Sequence, residues 1–436
     1  MLRPGRARPR IALRVRSGPH RQPGPARERT SVSPREVPGV VLVDSHQRSV
    51  RGFCNRGRKA VDGAILVVDE LGPELYDAIV SCSAVICAKG GRTGHMQSLC
   101  RSRGIPVLRV APSELDALAG EATVLLDRAS VVLGEAAPAA PAPRCPAAVF
   151  GDIESICVVV ADTADIRAVN ALAPRVEHAD TFFIREEFVC FSAALSPIDS
   201  LREGVREAER YGAAVASELC PMVRELLPGQ RLIMRLLDLR SDDAAKITSG
   251  DHVDDEPNPE LGRHGARWLL REHRYPHAFR ALRARLRERL GADADRVRFA
   301  VPFINDRDEY VRLRRFLGLG DATPLAVFVE TPAAVHSAAD FCASGAGELF
   351  VGTKDLIQFY LAADRGNHLV SSVYQTRHPA VLAALRQAVG SGRDAGTPVH
   401  VFALGADLDH YVRHLPVRRL MMCAAELRHL AERQAA

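Results

Sequence analysis

Lysine is scarce in this chain of 436 residues, with four (Lys59, Lys89, Lys246, Lys354) among 58 basic residues. The arginine excess that results reads as a GC-rich coding signature more than as chemistry. No run of eighteen apolar residues occurs, which excludes a membrane-crossing helix, and no membrane partner is expected. Ten cysteines are present, but no two stand in CxxC spacing and no signal-like apolar segment accompanies them. That excludes a CxxC metal or redox motif and predicts reduced thiols in the cytoplasm. Acidic residues are few at the N-terminus. Residues 1–40 carry ten arginines against Glu28 and Glu36, a charge of +8, so the +5 of the whole chain leaves −3 on the other 396 residues. The net charge therefore belongs to one segment, and no nucleic-acid partner is expected.

That segment, residues 1–37, is rich in Arg, Pro and Gly and poor in large apolar residues, so it cannot build a core. With several prolines and no amphipathic stripe, it reads as a disordered leader or an over-extended reading frame rather than a binding arm. Residues 38–135 alternate strand-like runs (Val40–Val43, Ala64–Val68, Ala84–Ala88, Val107–Val110, Thr123–Leu126, Ser130–Leu133) with a helix over Thr93–Arg103, a small α/β domain. Residues 136–148 are nearly all Ala and Pro, a semi-stiff linker that suggests relative movement of its neighbours. From 149 to 436, eight strand-like runs recur: Ile156–Val160, Thr181–Ile184, Leu232–Leu237, Val297–Phe303, Leu325–Val329, Leu349–Val351, Val399–Ala403 and Leu420–Cys423. Helical stretches separate them, among them Arg263–Arg289 with a break expected at Pro276. Eight such repeats fit a (β/α)8 TIM barrel preceded by a small α/β domain.

Chemistry in such barrels sits at the C-terminal strand ends, and here those ends are polar. Arg185 ends the second run, Arg235 and Asp238 lie on the third, Glu330 follows the fifth, Asp355 the sixth, and Arg365 comes slightly later. Two carboxylates among several arginines suit an oxyanion bridged by a divalent ion, because Mg²⁺ takes one or two carboxylates and completes its octahedron with waters and substrate oxygens. Arginine forks match phosphate and carboxylate. Singly, each arginine is more readily a surface ion pair; together at one barrel face they point to a ligand. In the small domain, Gly90-Gly91-Arg92-Thr93-Gly94-His95 lies between a strand and a helix. Its glycines allow close backbone approach, and His95 in the first helical turn meets free N–H groups that favour an anion. The alternative is a capping turn with an incidental histidine, and a double-glycine turn alone is weak.

The stretch Cys87–Val110 resembles the phosphohistidine swivelling domain of phosphoenolpyruvate (PEP)-utilizing enzymes. FIREEF (from Phe183), MRLLDL (from Met234), NPELG (from Asn258), VETPAA (from Val329), GTKDLIQFYLAADRGN (from Gly352) and HPAVL (from His378), in this order, resemble their PEP-binding barrel. Within the family the AADRGN and ETPAA contexts look most like enzyme I of the PEP:sugar phosphotransferase system. The resemblance implies that PEP or a related phosphorylated acid phosphorylates His95, that Glu330 and Asp355 hold Mg²⁺, and that Arg185, Arg235 and Arg365 hold the substrate. Lys354 stands where the family has asparagine, beside Asp355, and is expected to contact phosphate. Dimerisation through the barrel is a further implication.

Departures qualify that reading. The family's cysteine-containing CGE segment, whose thiol protonates the enolate, falls on Phe402-Ala403-Leu404. Its arginine in the NPELG region falls on His264, with Arg263 as a possible substitute; a serine before the phosphohistidine is Gly94; a lysine after Arg235 falls on Asp243. Cys423 is a candidate replacement acid, though a buried structural thiol is the simpler expectation. Asp251–Glu256 reads as a solvated loop, with His252 and His273 on the surface. Residues 1–60 are too short for the carrier-docking subdomain of enzyme I or an ATP-grasp domain, so the phosphoryl acceptor or donor is expected on another protein. Three functions stay open: a PEP-dependent phosphotransferase, the same barrel with altered enolate chemistry in a specialised biosynthetic pathway, and an inactive PEP-binding regulator.

Overall fold

A computed structural model of the chain describes residues 35–90, 95–134, 151–172, 176, 178–248, 255–320, 323–365, 367–370 and 372–434. The residues expected as linker (136–148), most of the expected leader (1–34), the turn 91–94 and His252 lie outside the described residues.

Seven short strands build the small domain: β1 (Glu36–Val43), β2 (Ser49–Asn55), β3 (Ile65–Val68), β4 (Ala84–Cys87), β5 (Val107–Val110), β6 (Glu121–Leu125) and β7 (Ser130–Leu133). They close in the order β1-β5-β4-β3-β2-β6-β7, with β2 to β5 running parallel to their neighbours in that stretch and the remaining pairs antiparallel. Alternate residues such as Val50, Ile65, Val67, Ile86, Leu108, Val124 and Val131 fill the interior, as strand periodicity requires. Sequence reading misses β2, because SVRGFCN interleaves its apolar residues with Arg51 and Gly52 and buries only Val50 and Cys54. β1 begins at Glu36, inside the stretch expected as leader, and buries Val37 against the core.

The second domain is a closed barrel of eight parallel strands in sequence order: β8 (Ser155–Val159), β9 (Thr181–Arg185), β10 (Arg231–Arg235), β11 (Val297–Val301), β12 (Leu325–Val329), β13 (Ala346–Val351), β14 (Val399–Phe402) and β15 (Arg419–Cys423). Each coincides with one of the eight apolar runs. The expected helix 263–289 is two helices, Gly265–Leu269 and Tyr275–Leu290; Pro276 opens the second rather than breaking one, since its missing N–H is harmless in a first turn.

The barrel interior is layered by the two-residue strand period. On β10, Arg231, Ile233 and Arg235 sit at the bottom, middle and top. The bottom is ionic: buried Glu348 meets Arg231 at 2.9 Å and Arg298 at 3.4 Å, beside His400. The middle is apolar and aromatic, with Ile233, Ala326, Phe183, Phe328 and Phe350 in one cluster. Its rings stack, Phe328 on Phe350 at 5.3 Å. The top layer holds Arg185, Arg235 and Glu330, so the same pattern that packs the core aims charge at the C-terminal mouth.

The small domain rests on that mouth. His46 stacks on His429 with ring centroids 3.5 Å apart, and its Nε2 lies 2.9 Å from Glu426. Arg103 pairs with Asp162 and approaches Asp165 at 3.5 Å. The helix His95–Arg103 thereby faces the barrel, and its Ser98 and Arg101 line cavities there. Among the described residues no helix is long and apolar enough to cross a membrane.

Candidate active site

Arg185, Arg235, Asp238, Arg240, Glu260, His264, Phe303, Glu330, Lys354, Asp355 and Arg365 converge on one cleft under Ser98. Arg185, Arg235, Asp238, Glu330, Lys354, Asp355 and Arg365, singled out from sequence, are all among them. Of His95 only the backbone is described: it opens the helix His95–Arg103. Ahead of it, Gly90 has φ +110°, a conformation that favours glycine, and its carbonyl accepts from Arg109 Nη1 at 3.1 Å.

Arg235 is the hub of the buried network. Its Nη2 lies 3.2 Å from Glu187 and 3.1 Å from Asp238, its Nη1 3.6 Å from Glu330, and its guanidinium 5.7 Å from the Phe328 ring centroid. Glu187 also accepts the Asp238 N–H at 2.6 Å, which pins the loop after β10 to the helix after β9. Glu330 accepts the Phe303 N–H at 3.0 Å, and Phe303 has φ +48°, a costly conformation for a non-glycine residue. Gly352 leaves room for Glu330: a Cβ there would lie 2.7 Å from the Glu330 Cγ.

On the neighbouring strand end, Arg365 Nη2 donates to Asp355 Oδ1 at 2.8 Å. Glu260 gathers Arg240 and accepts Gln358 Nε2 at 3.1 Å, and Asp243 holds Arg240 at 3.1 Å. His264, where an arginine was expected, is buried and bonded through Nδ1 to Asp238 at 2.7 Å and through Nε2 to the Glu260 carbonyl at 3.1 Å. Arg263 is exposed and lines no part of the cleft, so it does not take over that arginine's place. Cys423 is buried, and burial pushes its thiol up, as a structural cysteine requires.

Charge is poorly balanced inside the cleft. The Nε–H groups of Arg185, Arg235, Arg240 and Arg365 are buried with no hydrogen-bond partner among the described residues. Arg185 forms no ion pair there; burial, then the neighbouring Arg235, brings it down to about 10. Lys354 has no carboxylate within 4 Å among the described residues, and burial together with Arg101 pushes its ammonium well below the usual lysine range. Burial, then the negative charge of Asp355, raises Glu330 to about 7. Burial acts on Asp355 in the same sense, but Arg365 overcomes it and holds the carboxyl below its ordinary value. Burial disfavours charge on His264, yet Asp238 outweighs it and raises the imidazole. Unsatisfied arginine donors and an unpaired ammonium beside two mutually repelling carboxylates suit an anion with a hard cation.

The family model for the PEP-binding domain of PEP-utilising enzymes matches residues 183–406, and that for their mobile domain matches residues 60–130. The chain belongs to the PEP-utilising enzymes. Similar relatives in the family include a probable phosphoenolpyruvate synthase of Archaeoglobus fulgidus, 24% identical over 362 residues, covering 82% of this chain and 47% of the relative. A phosphoenolpyruvate synthase of Pyrococcus furiosus is 26% identical over 349 residues (76% and 41%). A phosphoenolpyruvate-protein phosphotransferase of Haloferax volcanii is 30% identical over 354 residues (76% and 59%). The chain thus spans about half the length of these curated relatives of a family of phosphoryl-transfer enzymes, among which synthases and a protein phosphotransferase both occur.

Sequence reading did not single out Arg240, Glu260 or Glu187. Glu187 and Glu260 do stand inside the FIREEF and NPELG segments, which were the signal available. Ser98 and Arg101 stand inside the Cys87–Val110 stretch, but they reach the barrel cavities because one domain docks on the other.

Proposed function

We propose that the chain is a phosphotransferase of enzyme I type: PEP or a related phosphorylated acid binds at the barrel mouth, its phosphoryl group passes to His95, and an acceptor on another protein receives it. The single observation that carries this is the set of buried, partnerless arginine N–H groups in a cleft that Ser98, on the helix His95 opens, also lines. Arg185, Arg235 and Arg365 hold phosphate and carboxylate, Lys354 adds charge at the phosphate, and His95 attacks phosphorus in line with the enol oxygen. Glu330 and Asp355 would hold Mg²⁺, which when bound supplies charge neutralisation at the phosphate oxygens. The donor set fits: Glu330 and Asp355 are hard oxygen donors lining one cleft, the charge of Asp355 acts on Glu330, and two carboxylates leave positions for substrate oxygens and water. Homodimerisation through the barrel follows from the family reading, and nine free cysteines among the described residues favour the cytoplasm.

Phe402, Ala403 and Leu404 favour a second reading of the step that follows, because none offers a proton to the enolate. Protonation then falls to solvent, or the enolate is passed to another electrophile. The first turnover tests the site: mixing the chain with PEP and Mg²⁺ should release a burst of pyruvate equal to the protein present, and Glu330→Gln should abolish it. No burst with the unmodified chain contradicts the proposal. A burst of another carbon product, read by NMR, selects the second reading.

A further inference from the structure

A second cavity, of about 240 Å³, joins the polar cleft at Lys354 and Arg365, which line both. Its walls differ in kind. Ile357, Phe402, Ala403, Leu404 and the bodies of Tyr374 and Tyr411 form its apolar side, and Arg101, Thr353, Thr376 and Asp407 stand on the rest of its wall. Both tyrosine hydroxyls are engaged by backbone, Tyr374 donating to the Lys354 carbonyl at 3.0 Å and Tyr411 to the Thr376 carbonyl at 2.8 Å. Asp407, the carboxylate among the lining residues, accepts from Thr376 at 2.8 Å and from Arg377 at 3.3 Å. At the junction stands the Lys354 ammonium, 4.7 Å from the Phe402 ring centroid and without a carboxylate partner among the described residues. A ligand that spans both spaces therefore presents anionic groups on one side of Lys354 and, on the other, apolar surface toward Phe402, Ala403 and Leu404. PEP carries nothing on its methylene carbon to occupy the apolar lobe.

We propose that the substrate is a phosphoenol acid bulkier than PEP, with an alkyl or aryl substituent on the enol methylene carbon seated against Phe402 and Leu404. This rests on the reading of the barrel mouth as the phosphoryl-donor site. The step balances without a further reactant: the bond from phosphorus to the enol oxygen breaks as the His95 nitrogen–phosphorus bond forms. The enolate then takes a proton from water at its substituted carbon and leaves as a substituted 2-oxo acid. Each methylene moved from water into the lobe favours binding by about fourfold.

The test compares PEP with its 3-methyl and 3-phenyl derivatives on the full chain with Mg²⁺, reading calorimetric affinity and the second-order rate of His95 phosphorylation. The substituted donors should bind more tightly than PEP, by about fourfold for methyl and more for phenyl. Leu404→Trp, which fills the lobe, should cut their rate relative to PEP by about tenfold, and Leu404→Ala should raise the 3-phenyl rate relative to PEP. Ratios taken within one preparation are independent of its folded fraction. Substituted donors that bind about tenfold more weakly than PEP, or ratios unmoved by Leu404→Trp, overturn the proposal while PEP-driven labelling leaves the phosphotransfer reading standing. If neither PEP nor the derivatives bind or label the chain, both fall.

Discussion

Arg365 Nη2 donates to Asp355 Oδ1 across 2.8 Å at the lip of the barrel. The pair couples the residue proposed to hold substrate to one proposed to hold metal, and Arg365 keeps the Asp355 carboxyl charged. Arg365→Ala should slow His95 phosphorylation by about a hundredfold or more, since a preorganised cation is lost and a carboxylate is left unpaired. Arg365→Lys should recover little, because a point charge cannot replace the fork. Rapid-quench kinetics with PEP decides it; equal rates in Lys and wild-type chains would show that only charge matters.

Among the described residues Lys354 has no carboxylate within 4 Å, and burial and Arg101 disfavour its charge, so an anionic ligand is what restores the ammonium and takes up its contribution. Lys354→Gln should weaken PEP binding by about tenfold, with a smaller difference at high ionic strength. Calorimetry at two salt concentrations checks this. An unchanged affinity would place the ammonium outside the ligand's reach.

The polar part of the docked arrangement is His46 with His429 and Glu426, and Arg103 with Asp162 and Asp165, beside apolar residues such as Tyr76, Met96 and Leu99 that share one buried cluster with the barrel. The double variant His46→Ala with Arg103→Ala removes that polar part and should shift the small domain toward an undocked position. PEP affinity at the barrel should change by no more than about twofold, while His95 phosphorylation slows by about ten- to a hundredfold. Small-angle scattering should report a larger radius of gyration for the variant. A slower reaction with no change in size would mean that these residues act at the site itself.

The barrel was legible because its inward residues obey the strand period: Arg235, Glu330 and Arg185 each complete an alternation that also places Ile233, Phe328 and Phe183 in the core. Asp355 and Arg365 were legible from their position after the sixth strand. Arg240, Glu260 and His264 were harder, since loops after β10 bring them inward and no period announces a loop. Arg263 and His264 are adjacent in sequence, yet only His264 is buried, a choice fixed by its bond to Asp238. Arg101 depends on how the two domains meet, which no local pattern encodes. β2 was missed because a half-buried strand with arginine and glycine in it looks like a loop.

Glu186 lies buried behind the site, accepting from Tyr211 and Tyr275, each at 2.5 Å. Burial raises its carboxyl to about 7 despite both hydroxyls. The folded chain therefore holds this proton between pH 4.5 and about 7 while the unfolded chain releases it. Stability contributed by Glu186 is full below its unfolded value and is lost as pH rises through that window. Glu186→Gln, uncharged throughout, should show no such loss, so the wild-type stability relative to the variant should fall from pH 5 to 7 and then level. Denaturant unfolding across this range checks the sign; a rising difference would mean the carboxylate is favoured by the fold.

The most direct test of the whole reading is the fate of the phosphoryl group on His95. The full chain incubated with ³²P-labelled PEP and Mg²⁺ should acquire one acid-labile, alkali-stable label per chain, mapped to the peptide containing His95 and absent from His95→Ala. No label, or equal label on His95→Ala, would contradict it.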